Sequence, residues 1–390
     1  MNISQQRLVL AEGPCEIRFD AHTRRLYATD ASIYQIEPIG VAFPRTDDEV
    51  VWLLGAASEA ETPIVPRGAG TGLAGGAVGE GVVVNLARYN RRISELNLER
   101  GSVRVEPGVV LDELNAFLKP HGYCFGPDVA TSSRATLGGM IANNSSGARA
   151  PLYGTTAEHL LSLRVALADG RTVDLGPEYD SLPAVRAAVN EITDACAGEI
   201  NRRFPQMTVK RSPGYGLDRY LRNGRDLTQI VCGSEGTLAL ILSAELKLSP
   251  LPKEKGLALI FFASVAEAMQ AGVALLDLKP AAVEHIDRAL FDQTRDQLAF
   301  RAARDLLRLD TEPCEAILIV EFYDDVADHL DAVAQRRFGL RSMTVTDSRQ
   351  MEMVWALRKA GLSLLTGRKG PAKPAPGIED VAVLPHQLPD

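Results

Sequence analysis

Pro66-Arg67-Gly68-Ala69-Gly70-Thr71-Gly72-Leu73-Ala74-Gly75-Gly76 is the stretch whose reading decides this chain. Five of its eleven residues are glycine, and it follows a short apolar segment, Pro63-Ile64-Val65. Glycine serves where a backbone must pass close to a ligand or take a positive φ. Successive free N–H groups in such a loop make a concavity for an anion, most often a phosphate. Arg67 adds a fixed charge and Thr71 a hydroxyl. The plainer reading is a glycine-rich surface turn. The run is not a P-loop, which needs Lys-Ser/Thr at its end to reach phosphate and Mg²⁺. Gly70-Thr71-Gly72-Leu73-Ala74-Gly75 has dinucleotide spacing, but Gly75, Gly76, Gly79 and Gly81 interrupt any helix behind it.

Working outward, the 390 residues suffice for two or three domains with full cores. Hydrophobic content of 46% and charged content of 24% suit a globular protein in water. The net charge of −8 speaks against a nucleic-acid binder. Cys15, Cys124, Cys196, Cys232 and Cys314 are scattered without a C-x-x-C pair, so neither a zinc ribbon nor an iron–sulfur site is encoded, and a reducing cytoplasm fits. Residues 1–15 lack the pattern of a signal peptide. The longest uncharged apolar run, Gly256–Ala266, is too short to span a bilayer.

The N-terminal residues, with Arg24, Arg25, Tyr27 and Asp30, read as an extension packed on the body. Thr46 and Glu49 form a capping box ahead of a helix with Val50, Leu53, Leu54 and Ala57 on its apolar face. Strands are expected at Thr62–Val65, Val82–Leu86 and Ser102–Glu106, then a helix marked by Leu111, Leu114, Phe117 and Leu118. Gly126–Gly147 is rich in Gly, Asn, Ser and Thr and nearly uncharged. So long an irregular segment in a compact domain is usually a working loop. Asp169-Gly170 signals a hairpin between Leu163–Leu167 and Thr172–Leu175. A helical stretch at Leu182–Arg203 and a third loop, Gly233-Ser234-Glu235-Gly236-Thr237-Leu238, precede the alternating Ala244–Leu248. Ser249-Pro250-Leu251-Pro252 reads as a linker. Beyond it the order β-α-β-(α)-β-α-β predicts a ferredoxin-like layer, followed by a helix from Ser348 to about Leu365.

Three glycine-bearing loops in one half imply an extended ligand such as a dinucleotide. Pro66–Gly76, Ile141-Ala142-Asn143 after Gly138-Gly139, and Gly233–Leu238 resemble the three flavin loops of the vanillyl-alcohol oxidase (PCMH-type) superfamily. The branch it is most similar to is that of the FAD-linked D-lactate, glycolate and D-2-hydroxyglutarate dehydrogenases. Within it, the start of the long bacterial proteins that fuse the flavin unit to an iron–sulfur segment is the nearest likeness, over roughly residues 38–385. The resemblance implies an α+β chain: an N-terminal extension at 1–37, a two-subdomain PCMH-type FAD-binding domain at 38–250, and a ferredoxin-like substrate cap at 251–390, incomplete at its C-terminus. Carried over by position, Pro66, Arg67, Gly68, Ala69, Gly70, Thr71 and Gly72 would hold the FAD pyrophosphate. Pro127, Asp128, Ser133, Thr136, Gly138, Gly139, Ala142, Asn143 and Gly147 would follow the ribityl chain and ring, with Tyr153, Gly154, Glu235 and Gly236 completing the bed. Covalent members carry a histidine where Thr71 stands, which implies non-covalent FAD.

In that family an arginine after a tryptophan and a lysine before a Glu-Asp segment grip the substrate carboxylates. Trp355-Ala356-Leu357-Arg358 matches the first, and Lys373 stands for the second, with Lys369 and Arg368 as alternatives. No acid occurs from Met353 to Ile378, so the basic run reads as an anion site or as a solvated basic face. Bidentate recognition favours Arg358. The His-rich segment that in relatives binds a divalent metal and takes the hydroxyl proton is not reached before Asp390, where Leu384 replaces the usual proline and His386 is isolated. The expectation is therefore a fragment with no catalytic or metal residue of its own, any metal or iron–sulfur cluster belonging to a longer parent. The implied activity is oxidation of a D-2-hydroxy acid, D-lactate or D-2-hydroxyglutarate in class, by hydride transfer from C2 to flavin N5. Electrons would leave to a quinone, a cytochrome or an iron–sulfur segment. The alternatives are an FAD-binding module inactive as this fragment, and a sugar or alcohol oxidase on the same fold. The expected location is the cytoplasm, with peripheral attachment at the inner face of the membrane left open; the oligomeric state is not encoded.

Overall fold

The computed structural model describes residues 1–204, 214–367, 370 and 382–389. Strands β1 (Glu16–Arg18), β2 (Gly40–Phe43), β3 (Ile64–Arg67) and β4 (Val82–Asn85) form the first sheet in the order β1-β2-β4-β3. The pairs β2–β4 and β3–β4 are parallel, while β1 lies antiparallel on the edge. The N-terminal segment thus contributes a strand as well as packing. Leu10 of its Ile3–Ala11 helix is fully buried, in the cluster that includes Leu53 and Ala57. Helix Asp47–Glu59 starts where the Thr46 hydroxyl accepts from the Glu49 N–H at 3.2 Å. The expected capping box is only half formed, because the Glu49 carboxylate accepts from the Arg45 N–H at 2.7 Å.

Strands β5 (Ile93–Asn97), β6 (Ser102–Val105), β7 (Tyr123–Cys124), β8 (Leu160–Ala166), β9 (Thr172–Leu175), β10 (Leu240–Lys247) and β11 (Ser249–Pro250) follow. Five of them make an antiparallel sheet, β5-β6-β10-β8-β9. β8 and β9 are the hairpin that Asp169-Gly170 announced, with Gly170 at φ +82°. β5 escaped the sequence reading because a register shift between Ser94 and Asn97, with Glu95 at φ +48°, breaks its alternation. The segment read as a linker is pinned: β11 pairs with β7, and Leu251 N–H donates to Gly122 O at 2.9 Å. A two-residue ribbon tolerates Pro250, since proline is confined to edges where its missing donor costs nothing. The helical stretch after β9 is two helices, Pro183–Ala195 and Ala197–Arg203, joined at Cys196.

Gly126–Gly147 is not wholly irregular. Leu137–Ala142 is helical and buries Leu137, Met140 and Ile141, the i, i+3, i+4 face that six residues can supply. The last four strands, β12 (Lys255–Phe262), β13 (Ala282–Asp287), β14 (Ala316–Tyr323) and β15 (Arg341–Val345), form an antiparallel sheet in the order β13-β14-β12-β15. That is the ferredoxin-like arrangement. Side-chain alternation along β12 explains its uninterrupted apolar run. Leu257, Leu259 and Phe261 enter one cluster with Trp355 and Leu357, whereas Ala258, Ile260 and Phe262 enter another with Leu330 and Val333. The last helices are Ser348–Lys359 and Gly361–Thr366.

Candidate functional site

A cleft opens where the first sheet meets the five-stranded sheet. Pro66, Arg67, Gly68, Thr136, Gly138, Gly139, Ala142 and Gly236 line it, so all three glycine loops converge there. Gly233 N–H donates to Ile141 O at 3.0 Å and Glu235 N–H to Ala142 O at 2.9 Å, zipping the third loop to the end of the Leu137–Ala142 helix. An added Cβ on Gly68 would stand 2.1 Å from Thr136 Oγ1, so the first loop touches the start of that helix. An added Cβ on Gly72 would meet Asn143 Nδ2 at 3.9 Å. Gly70 and Gly236 need the positive φ that glycine permits, +67° and +77°.

Three features fit an anionic, extended group. Among the described residues no protein acceptor meets the N–H groups of residues 69–76, a stretch that contains Ala69, Gly70, Thr71 and Gly72. Thr136 is 3% exposed and its Oγ1 has no hydrogen-bond partner, a costly state for a buried hydroxyl unless a ligand satisfies it. Gly139 has nothing nearer than 3.5 Å to its Cβ position, so what keeps it small is not a protein neighbour. Its neighbour Gly138 differs, because a Cβ there would lie 2.5 Å from Pro107 Cβ.

Arg67 lines the cleft, and its guanidinium packs against Gly70 of the loop, where an added Cβ would stand 2.7 Å from Nη2. It donates to Ala77 O at 3.0 Å, Thr29 O at 2.8 Å and Tyr27 O at 3.3 Å. Burial depresses its pKa, the nearby Asp30 opposing. The N-terminal residues therefore brace the glycine loop: Ala31 N–H donates to Gly70 O at 3.0 Å, and Asn85 Nδ2 donates to the Tyr27 hydroxyl at 2.7 Å.

The remaining expected residues are not among those that line the cleft. Pro127 is buried and Ser133 exposed. Gly147 packs so tightly on Asp128 that a Cβ would sit 1.7 Å from the Asp128 carbonyl oxygen. Tyr153 sets its ring 6.4 Å from that of Tyr323, facing the cap, and Gly154 takes φ +72°. Glu235 is exposed, at φ +54°. The Asp128 carboxylate is engaged by Arg149 Nη1 at 2.8 Å. In the cap, Arg358 Nε donates to Glu284 Oε2 at 2.5 Å. Burial raises the Glu284 pKa, and Arg358 opposes that shift. Asp128 and Arg149 also act electrostatically on Glu284, so the flavin-loop residues and Arg358 belong to one charged neighbourhood. Lys373, Lys369 and Arg368 lie outside the described residues. Among those described, no group of three or more His, Cys, Asp and Glu side chains is placed to hold a metal ion. Nor is any helix long and apolar enough to cross a membrane.

Sequence reasoning missed Arg149 and Glu321, and the cleft-lining Leu86, Pro107, Val231, Ser234, Ala239 and Ile241 were not singled out as site residues. Glu321 had a signal: it is the lone charge in Ala316-Ile317-Leu318-Ile319-Val320-Glu321-Phe322.

Comparison with known proteins decides the family. Residues 38–176 match the FAD binding domain model, and residues 251–390 match the C-terminal domain of FAD linked oxidases. This chain belongs to the FAD-linked oxidases. Its first domain is an FAD-binding domain, and FAD is its cofactor. A D-2-hydroxyglutarate dehydrogenase of Pantoea ananatis is 34% identical over 394 residues, which cover 93% of this chain and 38% of the relative. One from Escherichia coli is 34% identical over 402 residues, covering 94% of the chain and 39% of the relative. The chain thus spans about two fifths of the length of these relatives. A glycolate oxidase subunit of Bacillus subtilis is 27% identical over 387 residues, 97% of this chain and 72% of that protein. An alkyldihydroxyacetonephosphate synthase structure shares the fold, with a TM-score of 0.69 at 18% identity over 94% of this chain and 64% of that one. This FAD-linked oxidase chain therefore pairs a flavin unit with a ferredoxin-like layer.

Proposed function

We propose that the chain is the flavin-bearing part of a dehydrogenase that oxidises a D-2-hydroxy acid of the D-lactate or D-2-hydroxyglutarate class. Residues 38–250 act as the cofactor unit, residues 251–390 as the substrate cap, and residues 1–37 brace the first glycine loop. The observation that carries the reading is the convergence of three glycine loops on one cleft around the unpartnered Thr136 hydroxyl. Bound FAD would supply the acceptor for the hydride that leaves C2 of the acid, while a base takes the hydroxyl proton. The N–H groups of residues 69–76 cradle the pyrophosphate, and the Thr136 hydroxyl donates to the cofactor. Gly139 leaves room for it, along with Ala142, Asn143 and Gly236. Arg358, held by Glu284, is poised to meet the substrate carboxylate, with Lys373 as its partner. Thr71 offers no imidazole, so the flavin is held without a covalent bond. Electrons pass on to a quinone, a cytochrome or an iron–sulfur segment. We place the protein in the cytoplasm, peripheral attachment to the inner membrane face remaining compatible.

The purified chain should be yellow and should release its flavin on denaturation; a colourless protein that cannot be reconstituted with FAD sinks the reading. Anaerobic reduction of the flavin by D-lactate or D-2-hydroxyglutarate tests the activity. Gly139→Val should abolish flavin retention while the cap sheet stays folded. Arg358→Ala, in the longer parent protein, removes a charged hydrogen bond worth about 1.5–3 kcal/mol, so kcat/KM for the acid should fall roughly tenfold to a hundredfold with FAD content unchanged. A second reading, an FAD-binding module that performs no oxidation alone, is favoured by the pairing of Arg358 with Glu284, which occupies its charge. A flavin that binds but is reduced by neither acid decides for it.

A further inference from the structure

We propose that Arg149 is a positioning residue that holds the Ser348–Lys359 helix, and with it Arg358, in register against the flavin lobe. This rests on the reading of Arg358 as the residue that grips the substrate carboxylate. Arg149 lies just past the second glycine loop, yet its side chain faces the cap. Nε donates to Glu321 Oε2 at 2.6 Å and Nη2 to Glu321 Oε1 at 3.1 Å, a two-pronged pair. Its remaining edge, Nη1, donates to Asp128 Oδ2 at 2.8 Å. The guanidinium carbon stands 4.8 Å from the centre of the Trp355 ring, within cation–π range. Trp355 Nε1 closes the figure by donating to Glu321 Oε1 at 3.3 Å. The preceding Ala148 packs on the cap cluster that holds Trp355 and Leu357.

Glu321 is 2% exposed and Arg149 16%, so the pair is dry and its geometry is costly to lose. Burial works against the Arg149 charge, and the bond to Glu321 together with the charges of Glu321 and Asp128 outweighs it, so its pKa is raised. Glu321 stands on β14, opposite Leu257 of β12 and Ala282 of β13, in the interior of the cap sheet. The helix is therefore pinned twice: Trp355 to Glu321, and Arg358, three residues on, to Glu284 of β13. Among the described residues the first pin is hydrogen-bonded to the flavin lobe, through Arg149. A helix that slides or rolls on the sheet carries Arg358 away from the cofactor, and about 1 Å of misplacement suffices to cost a hundredfold in rate.

The test uses the FAD-loaded chain for exchange and the longer parent protein for kinetics. Arg149→Gln should speed amide exchange in the 348–359 segment about tenfold while the five-stranded sheet keeps its protection. It should raise KM for the acid about tenfold with flavin content unchanged. Arg149→Lys should recover part of both losses, because lysine keeps the charge without the planar fork. Arg149→Gln combined with Glu321→Gln should be no worse than the more severe single variant, since the two act as one unit. If Arg149→Gln does not fold, Trp355→Phe removes the indole N–H that Glu321 accepts, with part of the ring under Arg149, and should also speed exchange in the same segment while the five-stranded sheet keeps its protection. Unchanged exchange in 348–359, or an equal loss of protection throughout the chain, overturns the proposal. Should Arg358→Ala leave every acid's kinetics intact while Arg149→Gln still loosens the helix, the reading of Arg358 fails and the positioning role stands.

Discussion

The cleft under the glycine loops and the seam between flavin lobe and cap are built from opposite materials. The cleft is largely backbone: N–H groups, glycines and the hydroxyls of Thr136 and Ser234, with its one arginine engaged on three carbonyls. The seam is side chains: Asp128, Arg149, Glu321, Glu284 and Arg358, joined in pairs. A backbone site is fitted by what is missing, namely Cβ atoms and internal acceptors. A charged seam is fitted by partners, each a liability once unpaired. Substitutions should therefore fail differently in the two places.

The largest effect is expected where the regions touch. Gly147→Ala places a methyl 1.7 Å from the Asp128 carbonyl oxygen, and a backbone atom cannot swing aside as a side-chain tip can. Stability should fall by about 3 kcal/mol or more, with flavin loss following, as measured by denaturant titration. Gly139→Ala is the control: its Cβ meets only Thr136 Oγ1, at 3.5 Å. The apo-protein should be unchanged or up to about 1 kcal/mol more stable, because alanine is the better helix former, while flavin affinity drops. Equal destabilisation by both substitutions would erase the distinction between a packing glycine and a cofactor glycine.

Thr136→Val removes the buried hydroxyl that no protein group satisfies. It should leave the apo-protein as stable or more so and weaken FAD binding by up to about tenfold, in line with one hydrogen bond of 0.5–1.5 kcal/mol. Calorimetry on apo- and holo-protein separates the two signs; a destabilised apo-protein would show that the hydroxyl serves the fold.

In the seam, Glu284 gives a pH signature. Burial raises its pKa above the ordinary 4.5, so the folded state binds the proton more readily than the unfolded chain does. Its contribution to stability is full below the unfolded value and is lost as pH rises through the folded one. Glu284→Gln should flatten that part of the stability profile. A profile identical in wild type and variant would mean that the Arg358 pair fully offsets the burial.

The smallest effect is chemical. Burial pushes the Cys15 and Cys232 thiols up to about 12, whereas Cys196 is exposed. Alkylation of the native protein near neutral pH should mark Cys196 first and leave those two untouched. Early labelling of Cys232, which donates to Asn144 Oδ1 at 3.6 Å behind the third loop, would mean the cleft opens more readily than its packing implies.

Much of the fold was legible because its signals are local. Glycine content marked the loops, Asp169-Gly170 marked the hairpin, and the order of strands and helices after Pro252 marked the ferredoxin-like layer. Where local signals were weak the reading slipped, as at the bulged β5 and at the six-residue helix inside Gly126–Gly147.

The sequence by itself determined which segments can approach a phosphate, since the absence of a Cβ is a property of the residue. It also determined the alternation that splits β12 between two cores, since a strand's period is fixed by covalent geometry. Only the tertiary structure decided that Arg67 faces the N-terminal segment, that the Thr136 hydroxyl is left without a partner, and that Arg149 reaches Glu321, 172 residues away. A charge has no intrinsic direction along the chain; it takes the partner that burial and chain path bring within about 3 Å, and that choice is made only when the lobes close on one another.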